Sequence, residues 1–299
     1  MTSTTAEDRD DAPRADHRPE VPTRLLVDAL VREDGTVDAG ELYAVAALMG
    51  MSDQQVRLCV RRLVDEGRFT QDGRGRKAVL RAVADPTGAL VPDAAYVRHA
   101  YLQDAGLAPW DGTWHLYGFA VPESRRAARD ALRDTLVHLG AVPVHGGLYA
   151  CANDVDELVE AHARHLGVLS AVTFLTSKDL RVGEVGDPVA LAAALWPLAR
   201  IAERHERLAD FAEQCLSRAE HADGAHRLVL AVELAAEFTR AMAPDPLLPP
   251  ELLPRPWAGA RARELAARCW AVLLAAGGGE PAPRLFRWYA DVLAAPPRP

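Results

Sequence analysis

A helix end and a helix start separated by a very short stretch of chain constrain this sequence more than anything else in it. Ser52-Asp53-Gln54-Gln55 is a capping box, in which the Ser52 hydroxyl accepts from the Gln55 amide and the Gln55 side chain reaches back to the cap. Met51 and Val56 stand around it in hydrophobic-staple positions. The helix that follows is predicted to run to Glu66 and stop at Gly67, which tolerates the left-handed conformation found at helix ends. Upstream, Asp38 with Glu41 three residues on, and Val37 and Leu42 as its staple, starts another helix that ends at Gly50. A tight turn is therefore forced between Gly50 and Ser52. With a first helix over Arg24 to Val31, capped by Thr23, the order is that of a helix-turn-helix.

At 100° per residue, Val56, Cys59, Val60, Leu63 and Val64 share one side of the Ser52 helix, which predicts its buried face. Gln54, Arg57 and Arg61 lie together opposite, flanked by Gln55 and Arg62. An outward face of Gln and Arg carries forked donors suited to base edges and phosphates in a major groove. Gln55 is the weakest member, because its own cap competes for the side chain. After Gly67, Phe69 to Asp72 and Ala78 to Val83 read as two short strands joined by Gly73-Arg74-Gly75-Arg76-Lys77, a basic wing tip for the phosphate backbone. From Ser52 to Ala82 eight cations face four acids, a local +4 in a chain whose formal net charge is −8. The acidic total excludes a protein coated in positive charge, so any duplex contact must be this local patch.

The 299 residues, 49% of them hydrophobic, suffice for two or three domains. Residues 1–22 are polar and read as a disordered tail that resembles no targeting peptide. The winged helix-turn-helix spans 23–85, and Asp85-Pro86-Thr87-Gly88 with Val91-Pro92-Asp93 marks a linker over 86–109 by turn chemistry. From 110 to 177 the pattern is βαββαβ, a ferredoxin-like module with strands at Trp114–Ala120, Ala141–Val144, Leu148–Ala150 and Val168–Thr176. Its helices are expected over Glu123–Leu139 and from Asp154 to Leu166. Residues 187–299 read as a mostly helical domain with a break at Pro197 and a central helix over Ala225–Met242. The proline-rich stretch Pro244 to Pro256 is expected to wrap extended, laying Leu247, Leu248, Leu252, Leu253 and Trp257 on the helices. The fold class is α+β.

Catalytic machinery is not visible. Nothing matches a nucleophile elbow, a Walker loop or a dinucleotide fingerprint. Cys59, Cys151, Cys215 and Cys269 stand singly, which fits a reducing cytoplasm better than disulfides or zinc. His162 and His165, three apart on a helix near Cys151, and His221 with His226, read as surface histidines, so neither a metal nor a cofactor is expected. The chain has no run of about 18 apolar residues, so no membrane helix is expected.

The stretch from Ser52-Asp53-Gln54-Gln55-Val56-Arg57 through Arg61-Arg62-Leu63-Val64-Asp65-Glu66-Gly67 resembles the N-terminal domain of the phenylacetic acid degradation repressor (PaaX) family. Trp110-Asp111-Gly112-Thr113-Trp114 and Asp245-Pro246-Leu247-Leu248-Pro249-Pro250-Glu251-Leu252-Leu253-Pro254 extend the likeness, in the family's order, over nearly all the chain after the tail. The resemblance implies a homodimeric repressor that binds a pseudo-palindromic operator in double-stranded DNA and is released by a small-molecule effector, an acyl-CoA or an aromatic metabolite. It also implies a Cas2-like middle module used for dimerisation. Nucleases of that shape hold a metal with a carboxylate at the end of the first strand, and the matching position here is Ala120. Where the family carries a histidine, paired arginines and a further arginine before the Asp-Pro motif, this chain has Ala236, Thr239-Arg240 and Pro244. Arg240 and Trp257 are thus the expected effector contacts. Two other classes of function compete with this reading: a nucleic-acid-processing enzyme on the middle module, and a protein–protein scaffold.

Overall fold

In the computed structural model, residues 19–84, 92–275 and 283–294 are described. Three helices come first, α1 (Thr23–Ala29), α2 (Ala39–Leu48) and α3 (Asp53–Asp65). Asp38 caps α2 by accepting from the Glu41 amide at 2.7 Å. α1 starts one residue earlier than expected. Pro22, with φ near −60°, holds the chain extended at its entry, so Thr23 is the first helical residue and not the cap. The predicted tail is also shorter than expected where it is described: Val21 is buried, and the Glu20 carbonyl accepts from Arg240 at 2.9 Å. Residues 1–18 of that tail lie outside the described residues.

The wing has three strands, not two. β1 (Thr36–Asp38), β2 (Phe69–Asp72) and β3 (Val79–Ala82) form an antiparallel sheet in the order β1-β3-β2. The Asp34 carboxylate accepts from both the amide and the hydroxyl of Thr36, at 2.9 and 2.7 Å, and closes the turn that launches β1. That strand is only three residues long, too short for an alternation signal.

The segment read as a linker carries α4 (Ala94–Asp104), whose first turn is capped by Asp93 accepting from Ala95 and Tyr96. The middle module follows: β4 (Trp114–Phe119), α5 (Arg126–His138), β5 (Val142–His145), β6 (Leu148–Cys151), α6 (Asp156–His165) and β7 (Val172–Ser177). Its strands pair antiparallel in the order β5-β6-β4-β7, the split-βαβ arrangement. One sheet face packs Tyr117, Tyr149 and Cys151 on Leu132, Leu136 and Val159 of the two helices. The other lies under the C-terminal region, where the Trp114 and Trp196 rings stack 6.0 Å apart. With both faces covered, β4 is buried without alternation from Trp114 to Tyr117.

Among the described residues, α7 (Pro188–Leu195), α8 (Leu198–Ala219), α9 (Gly224–Met242), α10 (Ala258–Ala275) and α11 (Arg284–Leu293) follow. Pro197 separates α7 from α8, as its missing amide requires. The stripe predicted for α9, Leu228, Val232, Ala235 and Phe238, is buried, and so is every residue between them. Such a helix lies at the centre of a layer. α2 packs on it, and the Arg284 amide donates to the Val31 carbonyl at 2.8 Å, so the winged helix and the C-terminal helices share one apolar core.

A polar junction holds the parts in register. Arg263 on α10 is buried and forks onto Asp104 of α4 at 2.6 and 2.7 Å, while its other nitrogen donates to Asp245 at 3.3 Å. His205 of α8 lies 2.7 Å from the same Asp245 carboxylate, and the Tyr96 hydroxyl of α4 donates to the Asp245 carbonyl. Leu247 sits at φ +50°, a left-handed geometry that costs a leucine on the order of 1–3 kcal/mol. It is held there on both sides: its amide donates to Asp245, and its carbonyl accepts from Gln103 and Asn153, each at 2.9 Å. Close by, Gly140 lies at φ +88° with Pro246 packed against it, so that a Cβ would fall 2.6 Å from the Pro246 carbonyl oxygen.

Two measurements check this junction. Gly146 is also left-handed, at φ +54°, but faces open space. Gly146→Ala should therefore cost about 1–2 kcal/mol in urea unfolding, and Gly140→Ala distinctly more. Burial alone would raise the Asp245 pKa, but the His205 hydrogen bond, the Arg263 charge and the Leu247 amide together hold it below the ordinary carboxylate value. A depressed carboxylate adds stability that is present above about pH 4 and lost as pH falls through the lowered value. Asp245→Asn should flatten unfolding free energy against pH below about pH 4, measured relative to the parent chain.

Candidate functional site

The outward side of α3 is built by the opposite side. Val56 and Leu63 are buried against the core, with Cys59, Val60 and Val64 partly so, and this turns Gln54, Arg57, Arg61 and Arg62 to solvent. Both halves of the capping box form: the Gln55 amide donates to the Ser52 hydroxyl at 3.2 Å, and the Gln55 side-chain oxygen accepts from the Ser52 amide at 2.8 Å. Gln55 is thus occupied at the helix start, although its side chain is exposed.

Among the described residues, Arg57, Arg62, Arg74 and Lys77 form no ion pair. Arg61 faces Asp65 one turn on, at 3.8 Å between two exposed side chains, a separation at which such a pair is worth little. Arg57 and Arg61 of α3 and Arg74 of the wing line one cleft of about 370 Å³, with Tyr43, Gln71 and Leu42. The structure therefore brings the helix face and Arg74 of the wing to one side of the molecule.

The wing tip departs from the expected free finger. Gly75–Lys77 is a 3-10 turn folded back on α2. Arg76 lies over the Tyr43 ring, 5.4 Å from its centroid, and its guanidinium donates to the Asp53 carboxylate at 3.2 and 3.3 Å. Gly40 was the available signal for this contact. A Cβ there would lie 3.1 Å from the Arg76 carbonyl, and a glycine in a helix's first turn calls for such a reason. At the wing base Arg68 reaches Asp28 of α1 at 3.5 Å. Burial pushes the Asp28 pKa up against the pull of Arg68 and Arg24.

In the middle module Ala120 follows the end of β4, exposed, beside a depression of about 260 Å³ lined by Arg129, Asp130 and Arg133. Asp130, the carboxylate in that lining, is flanked by Arg126, Arg129 and Arg133 at 3.5, 3.8 and 3.3 Å. Charge compensation of this kind leaves it a poor metal ligand. The His162 and His165 rings stand 6.5 Å apart, and Cys151 is buried against the Leu139 carbonyl, its thiol pushed up to about 11 by burial. Asp223 caps α9 through the His226 amide and also holds the His226 ring nitrogen at 2.8 Å.

Arg240 and Trp257 keep different company. The Arg240 guanidinium pairs with Glu237 and donates to the Glu20 carbonyl. Trp257 is half-buried, edge-on to the His205 ring with centroids 6.2 Å apart. Among the described residues, no helix is long and apolar enough to cross a membrane.

Comparison with known proteins covers all three parts of the chain. Residues 21–83 match the family described as PaaX-like protein, residues 107–189 the PaaX protein central Cas2-like domain, and residues 196–278 the PaaX-like protein C-terminal domain. Among solved structures, the uncharacterized protein Rv0674 from Mycobacterium tuberculosis aligns over 85% of this chain and 97% of its own, with a TM-score of 0.51 and 23% identity, a likeness of fold. No curated protein matches. With a winged N-terminal segment, a Cas2-like module and a helical C-terminal region each matched in order, the chain belongs to the PaaX family of transcriptional regulators.

Proposed function

We propose that this protein is a dimeric, sequence-specific DNA-binding repressor whose α3 enters the major groove. Gln54, Arg57 and Arg61 read base edges, Arg62 grips the flanking phosphates, and Arg74 and Lys77 of the wing follow the backbone beside the site. The observation that carries this reading is that three exposed cations, Arg57 and Arg61 of α3 and Arg74 of the wing, line one cleft in a chain of net charge −8. Their chemistry supports it: guanidinium forks match guanine edges and phosphate oxygens alike. Gln55 serves the helix cap first. Arg76 is already held by Asp53, so its phosphate contact is partly offset by the pair it must leave.

Dimerisation through the middle module gives a two-fold particle, and therefore a pseudo-palindromic operator with half-site centres about 34–36 Å apart or a multiple of that. Release by a small molecule in the C-terminal helical region completes the reading. Arg240 is available to an anionic effector only if that effector displaces Glu237.

Gel shifts on operator DNA selected from the protein's own upstream region test the assignment. Arg61→Ala should weaken binding by about 1–3 kcal/mol and blur base preference. Lys77→Ala should weaken all sequences alike and reduce the slope of log affinity against log salt by about one, with Arg76→Ala changing that slope less. Gln55→Ala should lower thermal stability, by about 1 kcal/mol or less, with base preference intact. Operator binding indifferent to both Arg61→Ala and Lys77→Ala would sink the assignment.

A further inference from the structure

His115 lies on β4 on the same face as Tyr117, and beyond the end of the neighbouring strand β6 the chain turns into α6. That turn brings two carboxylates over the imidazole. His115 Nδ1 is 3.8 Å from Asp154 Oδ1 and 3.5 Å from Asp156 Oδ1, and the three atoms lie within 4.8 Å of one another. The histidine is 8% exposed, and its Nδ1 is buried without a hydrogen-bond partner. This is a cost that a fold seldom leaves uncompensated.

The separations decide between two arrangements. A charged imidazolium bonded to a carboxylate closes to about 2.7–2.9 Å. Atoms sharing one cation through bonds of about 2.0–2.2 Å stand roughly 3.0–3.5 Å apart at octahedral to tetrahedral angles, and the 3.5 and 3.8 Å from His115 Nδ1 to the two carboxylates lie at or just beyond the upper end of that range. We propose that His115, Asp154 and Asp156 bind one divalent first-row transition ion of the Zn²⁺ type. An imidazole with two carboxylates suits such an ion better than Mg²⁺ or Ca²⁺, which take oxygen ligands alone. Two carboxylates also exceed the roughly half positive charge at the start of α6, leaving a negative cluster that a dication neutralises. Behind the ligands, the Tyr117 hydroxyl donates to Asp156 at 2.7 Å and fixes that carboxylate. Asp154, with a 73% exposed side chain, leaves the outer coordination positions to water.

The site's place gives it a mechanical consequence. Asn153, next to Asp154, donates to the Leu247 carbonyl at 2.9 Å and accepts from Gln103 of α4 at 3.2 Å. An ion on Asp154 and Asp156 stiffens the loop that fastens α4 to both the middle module and the proline-rich segment.

The full chain, stripped with a chelator, is titrated with Co²⁺, followed by its visible absorption, and with Zn²⁺ by calorimetry and thermal melting. One equivalent should bind and raise the melting temperature. Asp154→Asn and Asp156→Asn should each weaken binding at least tenfold, and His115→Gln should abolish it. Changing both His162 and His165 to Asn should leave the titration as it was. No saturable equivalent, or an equivalent untouched by both aspartate variants, overturns the proposal. The exposed position of Asp154 keeps the test decisive should His115→Gln fail to fold.

Discussion

The guanidinium of Arg263, buried in a cluster with Asp104, Asp245 and His205, sets the terms for the rest of the molecule. A charge taken out of water is tolerated only where its donors are met, and Arg263 meets Asp104 from α4 and Asp245 from the proline-rich segment, with His205 of α8 completing the set. Four separate stretches of chain must therefore arrive together or not at all. Removing either carboxylate leaves the buried guanidinium short of compensating charge, which is expensive in the interior. The left-handed Leu247 is a secondary strain that this junction over-determines, and the missing Cβ of Gly140 is what lets Pro246 approach so closely.

The position of α3 follows from that junction by two routes. Covalently, α3 and the wing lead through residues outside the described segments to α4, which Asp104, Tyr96 and Gln103 tie to the C-terminal region. By packing, α2 rests on the buried helix α9, and α11 is hydrogen-bonded to the end of α1. A rearrangement among the C-terminal helices would move the winged helix as a body, because packed cores shift between discrete arrangements more readily than they bend.

Much of this was legible in the residues because it is local. A capping box, a left-handed glycine and a proline act within a few positions of themselves, so α2, α3, the break at Pro197 and the exposed Gln54, Arg57 and Arg61 face could be read one turn at a time. The βαββαβ order was equally plain, since strand and helix periodicities alternate cleanly between 114 and 177. Less legible were β1, three residues long, and α4, whose apolar stripe is diluted by Gln103, Arg98 and tyrosines that serve a polar junction.

What the sequence alone determined is which segments become helix or strand and which side of α3 is apolar, because those depend on neighbours a few bonds away. What only the tertiary structure decided is where side chains distant in the chain come to rest. The fold-back of Arg76 onto Tyr43 and Asp53, the gathering of His115 with Asp154 and Asp156, and the union of Asp104, His205, Asp245 and Arg263 are all of this kind. Partners separated by 18 to 159 positions carry no periodic signature, and their pairing is fixed by which charges the closing core leaves without water.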